Sequence, residues 1–573
     1  MKKESFHTLY KKGMGAFFMP ENEECRERIL SEDYADEIVG YYGQEGLLAG
    51  EECYQLVNED FAIVHRPVNR TIDRMTQRLS FFTPYCYGPQ QQENLEEIGV
   101  NRVRRINGFD YRGSGILIGF VDTGIDYSHP VFLQADGRSR VKVIWDQGNQ
   151  SGMPPEGFYY GTEFGEEAIA SGTAPKDENG HGTFLAGVAA GRDFPEENFA
   201  GVAPLAELAV VKLKGAKQYL KQYFCMPGET VAYSESDIMM GVRFLLEYAS
   251  RRGLPLVLCL GMGSSLGSHR GTTPLSLYLN SLAYRPDVCI VTAAGNEGNT
   301  RHHGTVWAGE EQKQVELYVE RRGSGFTLEL FAEAIAELSV RIISPAGESS
   351  EVLDRGFNGT RRLPYLFDRS VVYAEKESLM RTGTLQRFRL RFQTPAPGIW
   401  RLQLEKSDMS YEVRMWLPMD EFLEGAVYFL APEPEITLCE PANAPLLLAV
   451  GGYAVANGSL APFSGRGFTA DWQNQPTLLA PAVNVTGPFA GGGYIVKNGT
   501  SIGAAYTAGC VALFLEYIEE YRRSGMSVPM DTVLLRTLFS LGAMREDEME
   551  YPNPAYGFGK LNLYKVFELL RNL

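Results

Sequence analysis

Three short segments of this chain carry side chains able to do proton-transfer or nucleophilic chemistry: Val121-Asp-Thr-Gly-Ile-Asp126, Asp177-Glu-Asn-Gly-His-Gly-Thr183 and Asn498-Gly-Thr-Ser-Ile-Gly503. Histidine is scarce. The 573 residues hold seven, His7, His65, His129, His181, His269, His302 and His303, and a mechanism with a histidine base must use one of them. His181 follows an Asn-Gly turn and opens a helix, where its ring is free to reach across a sheet edge; the bland alternative is a surface histidine at a helix start. Asp122 closes the apolar run from Gly115, and a carboxylate at the end of a parallel strand lies where open α/β sheets gather their active sites. It could merely start a turn, and Asp126 competes with it, but Asp126 sits beyond Gly124 in the loop. Ser501 begins a small-residue helix, where outward-facing backbone N–H groups and the helix dipole can hold a developing oxyanion; a plain serine cap is the alternative.

Gly499-Thr-Ser-Ile-Gly503 and Gly263-Ser-Ser-Leu-Gly267 also fit G-x-S-x-G, the nucleophile elbow of a fold whose acid and histidine follow the serine. No histidine follows residue 303, so Ser501 is not such an elbow. Ser265 could draw on Asp287 and His302, but it lies in a polar loop and those partners follow too soon to occupy separate strands.

The elements that must position these groups read as an interrupted α/β unit. Runs at 115–122, 207–213, 254–262 and 288–295 are continuously apolar and alternate with helical stretches such as 236–253, the mark of a parallel sheet covered on both faces. From 304 to 434 helix signals nearly vanish. Short runs with period-two alternation, among them 315–320, 326–331, 386–393 and 411–417, predict an all-β sandwich or jelly roll. The α/β pattern resumes at 445–455 and closes with a long apolar helix from about Ile502 to Tyr521. Residues 1–92 form a separate α+β region with a strand-like run, Phe61 to His65, ending in a Pro/Gly turn and a polar linker. The expected division is therefore 1–92, 93–303, 304–434 and 435–573.

The net charge of −17, from 54 basic and 71 acidic residues, argues against binding nucleic acid or anionic lipid. No apolar run reaches the ~18 residues of a membrane helix, and no signal peptide is read at the N-terminus. The expected location is the cytoplasm on synthesis, with later packaging or release by lysis. The eight cysteines lack metal-site spacing, and several lie in apolar runs. They are expected to be buried free thiols in a chain without structural disulfides, which suits a reducing compartment. Trp400 and Trp416, in the β region, are expected to be core.

In order, Val121–Pro130, Asn179–Gly187, Gly201–Pro204, Thr292–Gly298, Leu460–Gly467, Leu478–Val485 and Asn498–Ala505 resemble segments of the subtilisin-like serine proteases, the subtilases. The resemblance spans residues 113 to about 304 and 435 to 573. It implies a subtilisin-like parallel sheet with helices on both faces, an N-terminal prodomain and an Asp122–His181–Ser501 triad. It implies that Asn296 supplies one oxyanion donor beside the Ser501 N–H, and that Gly261-Met262-Gly263 is the edge that pairs with a polypeptide substrate. Ala505 and Ile502 depart from the family pattern at positions that handle no protons. The interrupting β region and the Asp motif narrow the resemblance to the Csp-type germination proteases of clostridial spores. That group implies a prodomain that acts as an intramolecular chaperone, is cut by the enzyme itself and stays bound, and a zymogen as substrate. The polar run Gln90-Gln91-Gln92 is the candidate self-cleavage region, with an ordinary linker as the alternative. No cofactor is required by this chemistry. Subtilases often bind structural calcium through scattered loop oxygens, and no such site is legible here. The competing reading is a pseudoprotease or signalling scaffold of the same fold; a lectin-like role for the β region finds no motif to support it.

Overall fold

The computed structural model describes residues 23–68, 86–89, 95, 97–106, 110–197, 199–336, 338–354, 356, 359–379, 384–525 and 529–571. The apolar runs become eight strands of one sheet. Their order across it is Leu478–Pro481, Leu448–Tyr453, Val288–Ala293, Leu256–Leu260, Leu117–Asp122, Glu207–Lys212, Val141–Asp146 and Thr162–Gly165. Neighbours pair in parallel except the last, which runs antiparallel to Val141–Asp146. Side chains alternate along each strand, so the sheet builds two cores. Ile118, Phe120, Val257 and Cys259 pack with the helices His181–Ala190 and Thr500–Arg523 on one face. Leu117, Val121, Leu256 and Leu258 pack with the helix Glu235–Arg252 on the other. Thr500–Arg523 is long and apolar enough to cross a bilayer by length and composition, but its apolar residues lie buried inside the fold.

Between residues 303 and 429 the chain leaves this unit and forms two antiparallel sheets. One has six strands and the other four, and they share a core built from Phe326, Leu328, Phe388, Trp400, Leu402 and their neighbours. Alternation drives this arrangement as well: one side of each strand is apolar, and the two apolar sides face each other. Trp400 and Trp416 are both buried, and their indole N–H groups donate to the carbonyls of Ala396 and Ile436.

The N-terminal unit is a helix, Glu23–Leu30, on a three-stranded antiparallel sheet in the order Tyr34–Gly40, Phe61–Pro67, Tyr54–Leu56. One expectation fails here. Cys25 and Cys53 form a disulfide, although Cys225, Cys259, Cys289, Cys439 and Cys510 are the buried free thiols foreseen. The two bonded residues are 28 apart in sequence, and only packing of the helix on the sheet brings their Cα atoms to 5.3 Å. Spacing alone carries no such information.

The N-terminal sheet docks on the α/β unit with buried charge at the joint. Asp36 Oδ1 accepts from Lys217 Nζ at 2.7 Å and from His65 Nδ1 at 2.6 Å, and its N–H donates to Tyr219 Oη. Lys214 pairs with Asp237 at 2.7 Å alongside. Burial alone would raise the Asp36 carboxyl, but Lys217, Lys214 and His65 together hold it well below the ordinary carboxylate range.

Candidate active site

The C-terminal ends of three adjacent strands converge at one edge of the large sheet. Leu117–Asp122 ends on Asp122, Leu256–Leu260 runs into Gly261-Met262-Gly263, and Val288–Ala293 leads to Asn296. The helix His181–Ala190 begins over this edge. Gly180, with φ of 88°, makes the turn into it, and Asp177 holds the turn closed. Asp177 Oδ1 accepts the N–H groups of Asn179 and Gly180, while Oδ2 accepts the N–H and hydroxyl of Thr183. The next residue must be glycine, because a Cβ at Gly182 would collide with the Gly124 carbonyl and stand 3.0 Å from Asp122 Oδ1.

This packing brings the three sequence-predicted groups together. His181 Nδ1 donates to Asp122 Oδ1 at 2.7 Å, and His181 Nε2 lies 3.4 Å from Ser501 Oγ. All three are buried. Asp122 Oδ1 also accepts the Thr123 N–H at 2.8 Å. A carboxylate so placed fixes the tautomer with the proton on Nδ1 and presents the Nε2 lone pair to the serine proton.

Asp126 is no rival. Its carboxylate takes the Ser128 hydroxyl, the Gly491 N–H and the Lys176 ammonium, and it serves to tie loops together. The second serine motif assembles no triad: Ser265 donates to the Leu417 carbonyl at 2.7 Å, Asp287 pairs with Arg522 and His302 with Glu297.

Asn296 reaches the same spot from its loop. Its Oδ1 accepts the Thr500 N–H at 3.1 Å and lies 3.3 Å from the Thr500 hydroxyl, which in turn accepts the Gly295 N–H. With Oδ1 claimed in this way, the NH₂ end is the part of the amide left to donate. Gly261 sits against the dyad, since a Cβ there would stand 3.2 Å from both His181 Cε1 and Ser501 Cβ and would overlap Leu185. Thr500 and Asp177 are the residues holding this candidate site that sequence reasoning passed over. An aspartate just before a helix start is a capping signal and could have been read; the role of Thr500 could not.

The cleft beside these groups holds a strand from the chain's own N-terminal region. Cys86–Pro89 lies between Met262–Gly263 and Tyr233–Ser234, antiparallel to both. Its register sets Gly88 opposite Gly263 and Pro89 opposite Met262. Gln90, Gln91 and Gln92 lie outside the described residues. Among the described residues, no three His, Cys, Asp or Glu side chains are grouped to hold a metal ion.

A profile of the Subtilase family matches residues 113–318 and 434–559, on either side of most of the β-sandwich. The solved structure of the Clostridium perfringens CspB protease superposes with a TM-score of 0.72 at 27% identity, covering 83% of this chain and 97% of that one. The minor extracellular protease Vpr of Bacillus subtilis is 21% identical over 546 residues, which is 91% of this chain and 59% of Vpr. A subtilisin-like protease of Coccidioides posadasii is 28% identical over 269 residues, 45% of this chain and 51% of its own length. The chain thus spans less than two thirds of either curated relative.

Proposed function

This chain belongs to the subtilase family, and from that premise we propose that it is a serine endopeptidase that cuts its own N-terminal region and then a protein substrate. The observation that carries the reading is the buried Asp122–His181–Ser501 chain beside a cleft already occupied by a β-paired strand. Ser501 Oγ attacks the scissile carbonyl as His181 Nε2 takes its proton. Asp122 stabilises the imidazolium that results. The oxyanion of the tetrahedral intermediate is met by the Asn296 amide and the Ser501 N–H. His181 then protonates the leaving amine, and water releases the acyl group by the reverse steps.

The register of Cys86–Pro89 supports a specific self-cleavage bond. Gly88 faces Gly263 and Pro89 faces Met262, and Gly261, the next residue along that edge, lies against Ser501 and His181, so the paired strand points toward the triad just where the polar run begins in the sequence. The bond assigned is Gln90–Gln91, inside the polar run singled out in the sequence. The freed N-terminal unit stays seated through its charged, buried joint. Likeness to the CspB protease supports a role of the Csp kind, with a zymogen activated during spore germination as the substrate and the protein held within the cell or spore until then.

The test compares wild type with Ser501→Ala by intact mass, N-terminal sequencing and fluorophosphonate labelling. The expected wild type carries a new N-terminus at Gln91 and reacts with the probe, while the variant stays whole and unlabelled. A wild type that stays whole and takes up no probe overturns the reading in favour of a catalytically silent scaffold.

A further inference from the structure

The loop that presents Asn296 is held from two sides. Thr500 fixes the amide on one. On the other, the adjacent Glu297 is buried, and its Oε2 accepts hydrogen bonds from Thr300 Oγ1 at 2.9 Å and from His302 Nδ1 at 2.7 Å. His302 is buried too, and its Nε2 lies 3.4 Å from Asp420 Oδ1. These partners come from different parts of the molecule. His302 immediately precedes His303–Ala308, the first strand of the sandwich, whereas Asp420 opens the turn Asp420–Phe422 just before its last strand, Val427–Phe429. Met419 and Phe422 beside Asp420 are buried in the same apolar cluster as Met262 and Cys439, beneath the substrate edge. One imidazole therefore joins the oxyanion loop to both ends of the inserted domain.

We propose that His302 is a positioning residue for Asn296: held between Glu297 and Asp420, it keeps the oxyanion donor in place and gives the inserted sandwich a grip on turnover. The proposal rests on the protease reading above. Oxyanion donors act only within a few tenths of an ångström of the right place, so a loop anchored by a charge-assisted pair is worth more than one anchored by packing alone.

The groups facing the ring are the carboxylates Glu297 and Asp420 and the Val427 carbonyl, with Glu421 nearby. Arg301, next in sequence, is turned to the Leu430 carbonyl and the Tyr428 ring. Burial alone would lower the imidazole, but Glu297 and Asp420 outweigh it and raise the ring above its ordinary 6.5. Glu421 is pushed up to about 7 by burial and by Glu297 and Asp420. The charge on the ring thus persists to higher pH than on an ordinary imidazole and is lost as the pH rises through the raised value.

The experiment measures kcat and KM against pH on a peptide spanning residues 85–94, with active sites counted by fluorophosphonate. In wild type, kcat falls on the alkaline side. His302→Gln is expected to lower kcat per titrated site by about 10- to 50-fold with KM within about twofold, and to lose the alkaline fall. Asp420→Asn is expected to move that fall to lower pH, and Glu421→Gln to leave it in place. If His302→Gln keeps wild-type kcat per site and the same pH profile, the proposal is overturned, even where fewer sites titrate or the melting temperature drops. A wild type that takes up no fluorophosphonate removes the protease reading and this proposal with it. A wild type that labels while His302→Gln is unchanged removes this proposal alone.

Discussion

In the proposed mechanism Asn296 acts through one amide whose Oδ1 is held by Thr500, and the two residues should fail in different ways. Asn296→Ala removes a donor aimed at developing charge. It is expected to lower kcat by about 10²- to 10³-fold with little change in KM, a magnitude established on a subtilisin. Thr500→Val keeps the backbone N–H on Asn296 Oδ1 and loses only the hydroxyl. That hydroxyl makes two hydrogen bonds, to Asn296 Oδ1 and from the Gly295 N–H, so the expected loss is about 30-fold, the range of two neutral hydrogen bonds and below that of Asn296→Ala. Steady-state kinetics of both variants on one peptide check the pair. Equal losses would mean that Asn296 is held by Thr500 Oγ1 alone. At this scale the sequence was informative about residue type and blind to orientation. Asp122, His181 and Ser501 each stood in a local context that hinted at chemistry, whereas the Thr500–Asn296 bond joins positions 204 apart.

Among the elements, the joint between the sandwich and the α/β unit has a pH dependence of its own. Trp416, at the end of Tyr411–Trp416, is stacked between His269 at 4.1 Å and His303 at 4.7 Å. His269 Nε2 donates to the Ser265 carbonyl and His303 Nδ1 to the Glu435 carbonyl, while His303 Nε2 lies 3.2 Å from the Thr305 hydroxyl. Burial pushes His269 down to about 4, and burial together with His269 pushes His303 down to about 3. An unfolded histidine takes its proton near 6.5, so the unfolded chain binds protons first as the pH falls. Stability from these rings is therefore fully present above pH 6.5 and lost as the pH drops towards those folded values, by about 1.4 kcal/mol per pH unit for each ring. Urea unfolding followed by tryptophan fluorescence at pH 7 and pH 5 is expected to show the drop, and His303→Phe to make it shallower. An identical slope in that variant would place the acid sensitivity elsewhere. The strands on both sides of this joint were legible from alternation, but the stack was not, because its rings come from three separated stretches.

For the whole molecule, the N-terminal unit meets the α/β unit through buried charge, the contact that would hold it after the proposed cut. Its sheet contributes Asp36 to a buried cluster whose cations, Lys214 and Lys217, belong to the α/β unit. Removing one partner of such a cluster leaves an uncompensated buried charge, which typically costs about 3–5 kcal/mol. Asp36→Ala is therefore expected to let the cut N-terminal fragment separate on gel filtration, whereas the wild-type fragment co-elutes with the rest. Co-elution in the variant would show that apolar packing by residues such as Ile38 and Ile63 suffices. The same unit holds the Cys25–Cys53 bond, which closes a loop within it and adds nothing across the joint.

Read by itself, the sequence determined the α/β texture, its interruption by an all-β stretch, the long serine helix and the identity of the candidate triad. Each of these is written in local periodicity or in a few neighbouring residues, where the backbone's own geometry translates pattern into structure. Only the tertiary structure decided the Cys25–Cys53 pairing, the seating of Cys86–Pro89 on Met262–Gly263, the turn of the Asn296 amide and the hold of Asp420 on His302. Those contacts join residues far apart in the chain. They depend on how whole elements pack, and no short stretch of sequence carries that information.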